Sequence, residues 1–222
     1  MPSGFLGGGI GPVALKRRRA AAADWWQVAG QTCVAAYQPI GAASLAASYT
    51  NLANPGVNNA APGVAPTLVA GGWSFNGSTQ YLRVQIGAIT TAISVVLRYA
   101  GAISAYSAAV GSSANGAARL ALAPRNAGDG GKRGYRHGGV LLSGAGSDAA
   151  GIMALCGNAG YFNGSPETAP FSTSIGTGDI GIGAYYDPTG YWTGTIAALA
   201  IYSTTLSAAD VAALTTRMQA LA

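Results

Sequence analysis

From residue 72 onward, apolar and polar positions alternate in short runs separated by turn residues roughly every ten positions, a pattern that predicts an all-β sandwich or barrel. The stretch GGWSFNGSTQYLRV at 71–84 reads as a β-hairpin. Its two partly apolar arms meet at Asn76-Gly77, a pair suited to a type I′ turn because both central residues need positive φ. Leu82, Val84 and Ile86 alternate with Arg83 and Gln85, which predicts a strand with one wet face. AISVVLRYA at 92–100 predicts a more fully apolar strand. Further strands are expected at Arg119–Ala123, Gly139–Leu142, Gly151–Leu155, Ile180–Tyr185 and Thr195–Tyr202, with a second type I′ signal at Asn163-Gly164.

The period changes at both ends of the chain. In TTLSAADVAALTTRMQALA, Ser207 can cap a helix and Asp210 can reach back to it. Val211, Leu214, Met218 and Leu221 then share one helical face, which predicts a helix laid on the sandwich. Residues 1–23 have neither a strand nor a helix period and are rich in Gly and Ala, so they read as an arm. Residues 41–70 are dense in Asn, Pro, Gly and Ser; the prolines argue against a central strand and the glycines against a stable helix. This stretch should wrap across the surface. The predicted division is a docking arm at 1–26 and a sandwich domain at 27–222.

Charged residues make up 9% of the 222-residue chain, against about 25% in an average soluble domain, and 34 residues are Gly. So neutral a surface suggests a protein that covers itself with copies or partners. The net charge of +5 is local: Lys16, Arg17, Arg18 and Arg19 hold four of the 12 basic residues, and the rest nearly balance the 7 acids. That distribution argues against a nucleic-acid partner, which calls for a spread basic face. The basic run follows the apolar FLGGGIGPVAL segment, the reverse of a secretory signal, and no stretch has the ~18 apolar residues of a membrane span. Synthesis in the cytoplasm without export is the expectation. Cys33 and Cys156 form no disulfide framework or metal site by spacing and are expected as free thiols. Trp25 and Trp26 have two readings: anchors of the arm on a partner, or rings packed into the edge of the domain.

Four motifs in order, covering Gly72 to the C-terminus, resemble the laminin-G-like jelly roll of the concanavalin A-like lectin/glucanase superfamily. They are the W-x-F-x-G run into YL at Trp73, Phe75, Gly77, Tyr81 and Leu82, then YFNG at Tyr161–Gly164, IGIGA at Ile180–Ala184, and YWTGTIAALAIYSTTLSAADVAAL at 191–214. The resemblance implies a jelly-roll antiparallel β-sandwich with an extended N-terminal arm and a short C-terminal helix. In it Phe75 and Tyr81 would sit on the two arms of the first hairpin and fill the core, while Ile196 and Ile201 would belong to a late strand pairing near the first. CVAAYQPIGAASLAASYTNLANPG, leading to GWSFNGSTQYL, also resembles jelly-roll proteins encoded by tailed bacteriophages and prophages. That likeness implies a virion component.

Glucanases of the superfamily carry an E-x-D-x-E-type motif on one strand, because glycoside hydrolysis needs two carboxyl groups at close range. This chain has one Glu, Glu167, in the loop sequence SPETAP, and Asp129, Asp148, Asp179 and Asp187 are scattered among turn residues. One histidine, His137, leaves no multi-histidine metal cage, and no G-x-S-x-G elbow is present. No metal and no cofactor are predicted. GTGDIG at 176–181 matches a dinucleotide fingerprint by letter, but strand and turn follow it where a helix is required. The N-G-S sequons at Asn76 and Asn163 are explained by turn geometry.

Two stretches hold candidate ligand residues. GDGGKRGYRHGG would present Arg133, Tyr135, Arg136 and His137 between glycine hinges, as guanidinium forks and a stacking ring for an anionic sugar or phosphate, or else as a solvated hairpin tip. AYYDPTGYW would bring Tyr185, Tyr186, Asp187 and Tyr191 to a rim as sugar-facing rings and an acceptor carboxylate, with core packing as the alternative. The sequence therefore predicts a non-enzymatic structural protein of a bacteriophage particle, in the tail fibre, baseplate or capsid surface. It would be a homo-oligomer, a trimer by analogy with fibres, docked to other virion proteins through Lys16, Arg17, Arg18, Arg19, Trp25 and Trp26, and it could attach to host glycans. The alternative is a lectin-like carbohydrate-binding module.

Overall fold

A computed structural model of the chain describes residues 24–87, 90–101, 107–112, 119–126, 130–138, 140–168, 178–185 and 189–222. Fifteen strands and two helices are defined among them. In chain order the elements are β1 (Cys33–Tyr37), α1 (Leu45–Ser48), β2 (Ala61–Val64), β3 (Thr67–Val69), β4 (Gly72–Asn76), β5 (Tyr81–Val84), β6 (Ser94–Ala100) and β7 (Val110–Ser112). There follow β8 (Leu120–Asn126), β9 (Lys132–His137), β10 (Val140–Ser143), β11 (Ala150–Cys156), β12 (Ala159–Phe162), β13 (Ser165–Pro166), β14 (Ile180–Ile182), β15 (Thr193–Tyr202) and α2 (Ala208–Gln219).

The strands form two antiparallel sheets. An eight-stranded sheet runs β13-β12-β11-β6-β15-β4-β3, with β1 also paired to β15, and a seven-stranded sheet runs β10-β9-β8-β7-β14-β5-β2. β15 is long enough to serve two partners on one side: Thr193–Ile196 pair with β4 and Leu199–Tyr202 with β1.

One core fills the space between the sheets, built on Trp73, Phe75, Trp192, Leu97, Leu122 and Met153. A second lies on the outer face of the eight-stranded sheet, where Val211, Leu214 and Met218 of α2 cover Val96, Ala154 and Ala200. β6 explains its own composition, since Val95, Leu97 and Tyr99 face the first core while Val96 faces the second, so both faces are buried. Its outward Arg98 donates to the carbonyls of Met218 and Leu221 at 2.7 and 2.8 Å, placing a cation at the helix C-terminus where the macrodipole favours it. The helix start is as predicted: Ser207 accepts from the Asp210 N–H at 3.2 Å, and the Asp210 carboxylate accepts from the Ser207 N–H at 3.1 Å.

The expected hairpin at 71–84 is not formed. β4 lies in the eight-stranded sheet and β5 in the seven-stranded one, so the turn between them carries the chain across the sandwich. Only Gly77 takes a positive φ there; Asn76 uses its side chain to accept from the N–H groups of Ser78, Thr79 and Gln80 at 3.0, 3.0 and 3.2 Å. Phe75 fills the core as expected, but Tyr81 is only half-buried and the adjoining core position belongs to Leu82. Asn163-Gly164 does form the type I′ geometry, with φ of 48° and 85°, between β12 and β13.

Residues 41–70 hold more order than turn composition suggests. β2 and β3 are edge strands, the position in which a proline such as Pro62 is tolerated. Asn51 pins the wrapping segment to β1: it accepts from the Ala36 N–H at 2.9 Å and donates to the carbonyls of Val34 and Val57 at 2.9 and 2.8 Å. Cys33 and Cys156 are free, and burial pushes both thiols up to about 12.

Candidate functional site

Strand period separates the two faces of the seven-stranded sheet. In RLALAPRN at 119–126, Leu120 and Leu122 enter the core while Arg119, Ala121, Ala123 and Arg125 line a hollow on the outside. β9 alternates in the same way, with Gly134 and Arg136 outward and Arg133, Tyr135 and His137 inward. The register then sets a row across the outer face: Leu141, Arg136, Ala121, Gly111, Gly181, Arg83, Ala61. Small residues floor its middle and arginines flank them.

The Tyr185 ring lies over Gly111. A Cβ at Gly111 would sit 2.8 Å from Tyr185 Cδ1 and 3.2 Å from its Cα, so the close approach requires glycine. The Arg119 guanidinium stands 6.0 Å from the Tyr185 ring centroid. Together with Arg125, Arg136, Ala121 and Ala123 they bound a hollow of about 410 Å³. A second hollow of about 390 Å³, lined by Asn58, Asn59, Gln85 and Arg83, lies toward the β2 end of the same sheet. Among the described residues, α2 packs on β6, β11 and β13 of the opposite sheet, so no helix covers this face.

The structure redistributes the expected ligand residues. GDGGKRGYRHGG was expected as a loop, but KRGYRH is strand β9, and of its candidates only Arg136 reaches the open face. Arg133 is 4% exposed, held by Glu167 and Asp148 and stacked 3.6 Å from the Phe162 ring centroid. Tyr135 is fully buried and donates to Tyr161 O at 3.0 Å or Glu167 Oε2 at 2.5 Å. His137 is 1% exposed; burial lowers its imidazole below the ordinary value, partly offset by a hydrogen bond with the Thr91 backbone. These three side chains face inward, so a ligand on the outer surface does not meet them. Tyr186 and Asp187 lie outside the described residues, as do Lys16, Arg17, Arg18 and Arg19.

Trp25 is 4% exposed in the helix-side core, with Trp26 edge-on at 5.7 Å and 89°. The Trp26 carbonyl accepts from the Tyr202 hydroxyl at 2.5 Å, and the half-buried Trp26 ring packs against the same core. Of the two readings of this pair, packing into the edge of the domain describes Trp25.

Glu167 is an interior group. Its carboxylate accepts from Arg133 Nε at 3.0 and 3.1 Å, from Arg133 Nη2, from the Tyr135 hydroxyl and from the Ala145 N–H at 2.9 Å. Burial raises its pKa, but these hydrogen bonds and the guanidinium charge outweigh burial and leave it below the usual carboxylate value. Arg133 belongs to the seven-stranded sheet, and Glu167 directly follows β13 of the other, so the pair clamps the two sheets at one edge. Arg133 and Tyr135 occupy the carboxylate and its side chain is 7% exposed, an arrangement suited to holding structure. Among the described residues no three His, Cys, Asp or Glu side chains cluster as metal ligands, and no helix is long and apolar enough to cross a membrane.

Arg119, Arg125 and Ala121 escaped the sequence reading as site residues. The signal was present in the period-two spacing of 119–125, with arginines at both ends of one face and small residues between them.

No protein-family profile and no curated protein matches the chain. Solved structures do. Domain 4 of AbnA, a GH43 extracellular arabinanase from Geobacillus stearothermophilus, in complex with arabinotriose, is similar with a TM-score of 0.59 at 14% identity, over 83% of this chain and 98% of that one. Trypanosoma rangeli sialidase, in complex with 2,3-difluorosialic acid as a covalent intermediate, is similar with a TM-score of 0.60 at 12% identity, over 88% of this chain. The chain spans 34% of the length of that sialidase. The protein is thus an antiparallel β-sandwich of the concanavalin A-like type.

Proposed function

We propose that this domain is a non-enzymatic glycan-binding module whose ligand lies across the open face of the seven-stranded sheet. The observation that carries the reading is the hollow floored by Ala121 and Ala123 and bordered by Tyr185, which packs over Gly111, with a second hollow farther along the sheet face that α2 leaves uncovered. A flat floor and a ring suit the C–H faces of sugars. The arabinotriose complex of the structurally similar arabinanase domain is in keeping with it. Binding with a Kd of roughly 0.1–1 mM, about 4–5.5 kcal/mol, is expected on a panel of soluble polysaccharides. Ala123→Tyr, which fills the hollow from its floor, should abolish binding with a midpoint shift of no more than about 2 °C. Unchanged binding by that variant, or a wild-type chain that binds no glycan, would overturn the reading.

The proposed setting is a bacteriophage particle, with the module displayed as a homo-oligomer on a tail fibre, baseplate or capsid surface. Its support is the likeness of 33–56 and 72–82 to phage jelly-roll proteins, and the cation run at 16–19 on a body with no charged residue between Asp24 and Arg83. The laminin-G-like subtype rests on the motifs alone. Deleting residues 1–23 should leave the body folded and abolish incorporation into particles; a truncated chain that still assembles contradicts the docking role.

A further inference from the structure

We infer that the glycan bound at the Arg119–Arg136 hollow is anionic, with a carboxylate or sulfate seated against Arg136. The inference rests on the glycan-binding reading of this face and adds the charge of the ligand.

Among the described residues the hollow's charged lining groups, Arg119, Arg125 and Arg136, carry N–H donors only, since a guanidinium accepts no hydrogen bond; Ser107, Asn126 and the Tyr185 hydroxyl complete the polar lining, and Ser107, Asn126 and Arg125 already hold interactions of their own. The floor of Ala121, Ala123 and Gly134 adds no side-chain polar atom. No carboxylate lines the hollow among the described residues. A neutral sugar presents hydroxyls that both donate and accept, and a site for it needs acceptors to match. A lining so rich in donors instead favours a ligand group that is all acceptor, as a carboxylate or sulfate is.

Arg136 is the best placed of the three. The row Leu141, Arg136, Ala121 sets it between an apolar side chain and a methyl group. Its Nε is buried and has no hydrogen-bond partner among the described residues. Arg136 as a whole is half-buried, and an anion in the hollow offsets the cost of holding its guanidinium partly away from water. Arg119, just before β8, and Arg125 within it stand six residues apart, about 20 Å along the strand direction, so the positive potential extends along the hollow rather than marking a single point. Tyr185 offers one ring for a sugar face. A single-stranded nucleic acid would call for successive stacking rings, and among the described residues the hollow has one aromatic lining residue.

The test is calorimetric titration of the full chain with polygalacturonate, with its carboxyl-reduced counterpart, with a sulfated galactan and with a single-stranded oligothymidylate. The wild-type chain should bind an acidic polymer at least about tenfold more tightly than the reduced one. Preference between polygalacturonate and the sulfated galactan identifies the anion. Arg136→Gln should remove most of that advantage, and raising salt from about 0.05 to 0.3 M should weaken the wild-type chain more than the variant. Arg119→Gln, at an exposed position, should act in the same direction and serves if Arg136→Gln fails to fold. Arg217→Gln, on α2, should bind as the wild type does. Equal affinity for the acidic and reduced polymers overturns the anion and leaves the glycan module standing. An Arg136→Gln chain that folds and keeps the acidic preference overturns the inference, as does tighter binding of the oligothymidylate. If the chain binds none of these polymers and no neutral polysaccharide, the module itself falls.

Discussion

Arg133→Met lowers the unfolding free energy by about 3–5 kcal/mol, because it strands the Glu167 carboxylate in the interior without its cation. In a domain of this size the thermal midpoint should drop by about 6–20 °C. Replacing both partners, as Arg133→Met with Glu167→Leu, should recover much of the loss, since a buried pair exchanged for apolar side chains of similar volume is often neutral. The clamp also sets the response to acid. Glu167 has its pKa held below the ordinary 4.5, so its contribution is complete above that value and disappears as pH falls through the depressed one. His137 is held below the ordinary 6.5 and stays neutral in the fold, so protonation of the unfolded chain erodes stability as pH drops below about 6.5. Denaturant melts across pH should show both losses in the wild type and only the upper one in Glu167→Gln. A single Arg133→Met variant within 1 kcal/mol of wild type would mean that the pair contributes no more than an exposed one.

Gly72→Ala should cost about 3 kcal/mol or more, while the neighbouring Gly71→Ala stays within about 0.5 kcal/mol. Gly72 has a φ of 121°, and a Cβ there would lie 2.1 Å from the Ile196 carbonyl oxygen, a backbone atom of β15 that cannot step aside. At Gly71 the nearest atom is the Thr195 methyl at 3.4 Å, an ordinary contact. The methyl group at 72 therefore pushes β4 off β15 and removes Trp73 from its place against Tyr37 and Tyr49. Thermal melts of the two variants, with the near-ultraviolet signal of the tryptophans, check the difference. Equal midpoints for the two would show that the sheets absorb the methyl group at Gly72.

The sandwich was legible because its strands keep apolar residues on buried faces, as β6 and β15 do, and because α2 carries its stripe and cap in plain order. β9 was not legible as a strand. Its inward positions are Arg133, Tyr135 and His137, so the alternation reads polar where the core lies; only their partners across the sandwich make that burial tolerable, and those lie far along the chain. The turn at Asn76-Gly77 misled for a related reason. The dipeptide suits a hairpin, but the side chain of Asn76 can equally gather the next N–H groups, and which one happens depends on where β5 finds its partner. β2 exposes all four of its residues and β3 half-buries only Leu68 against the core, which leaves little hydropathy signal. The open face was half visible: its arginines have strand spacing, but Gly111 and Tyr185 meet only in three dimensions.

The placement of β15 bears on how the chain is made. It is the shared partner of β1, β4 and β6, all within the first 100 residues, yet it comes from residues 193–202. During synthesis the early strands wait, with their edges unsatisfied, until residues 193–202 have left the ribosome. Pairings so distant in sequence make folding slow and leave these edges open to premature association in the meantime.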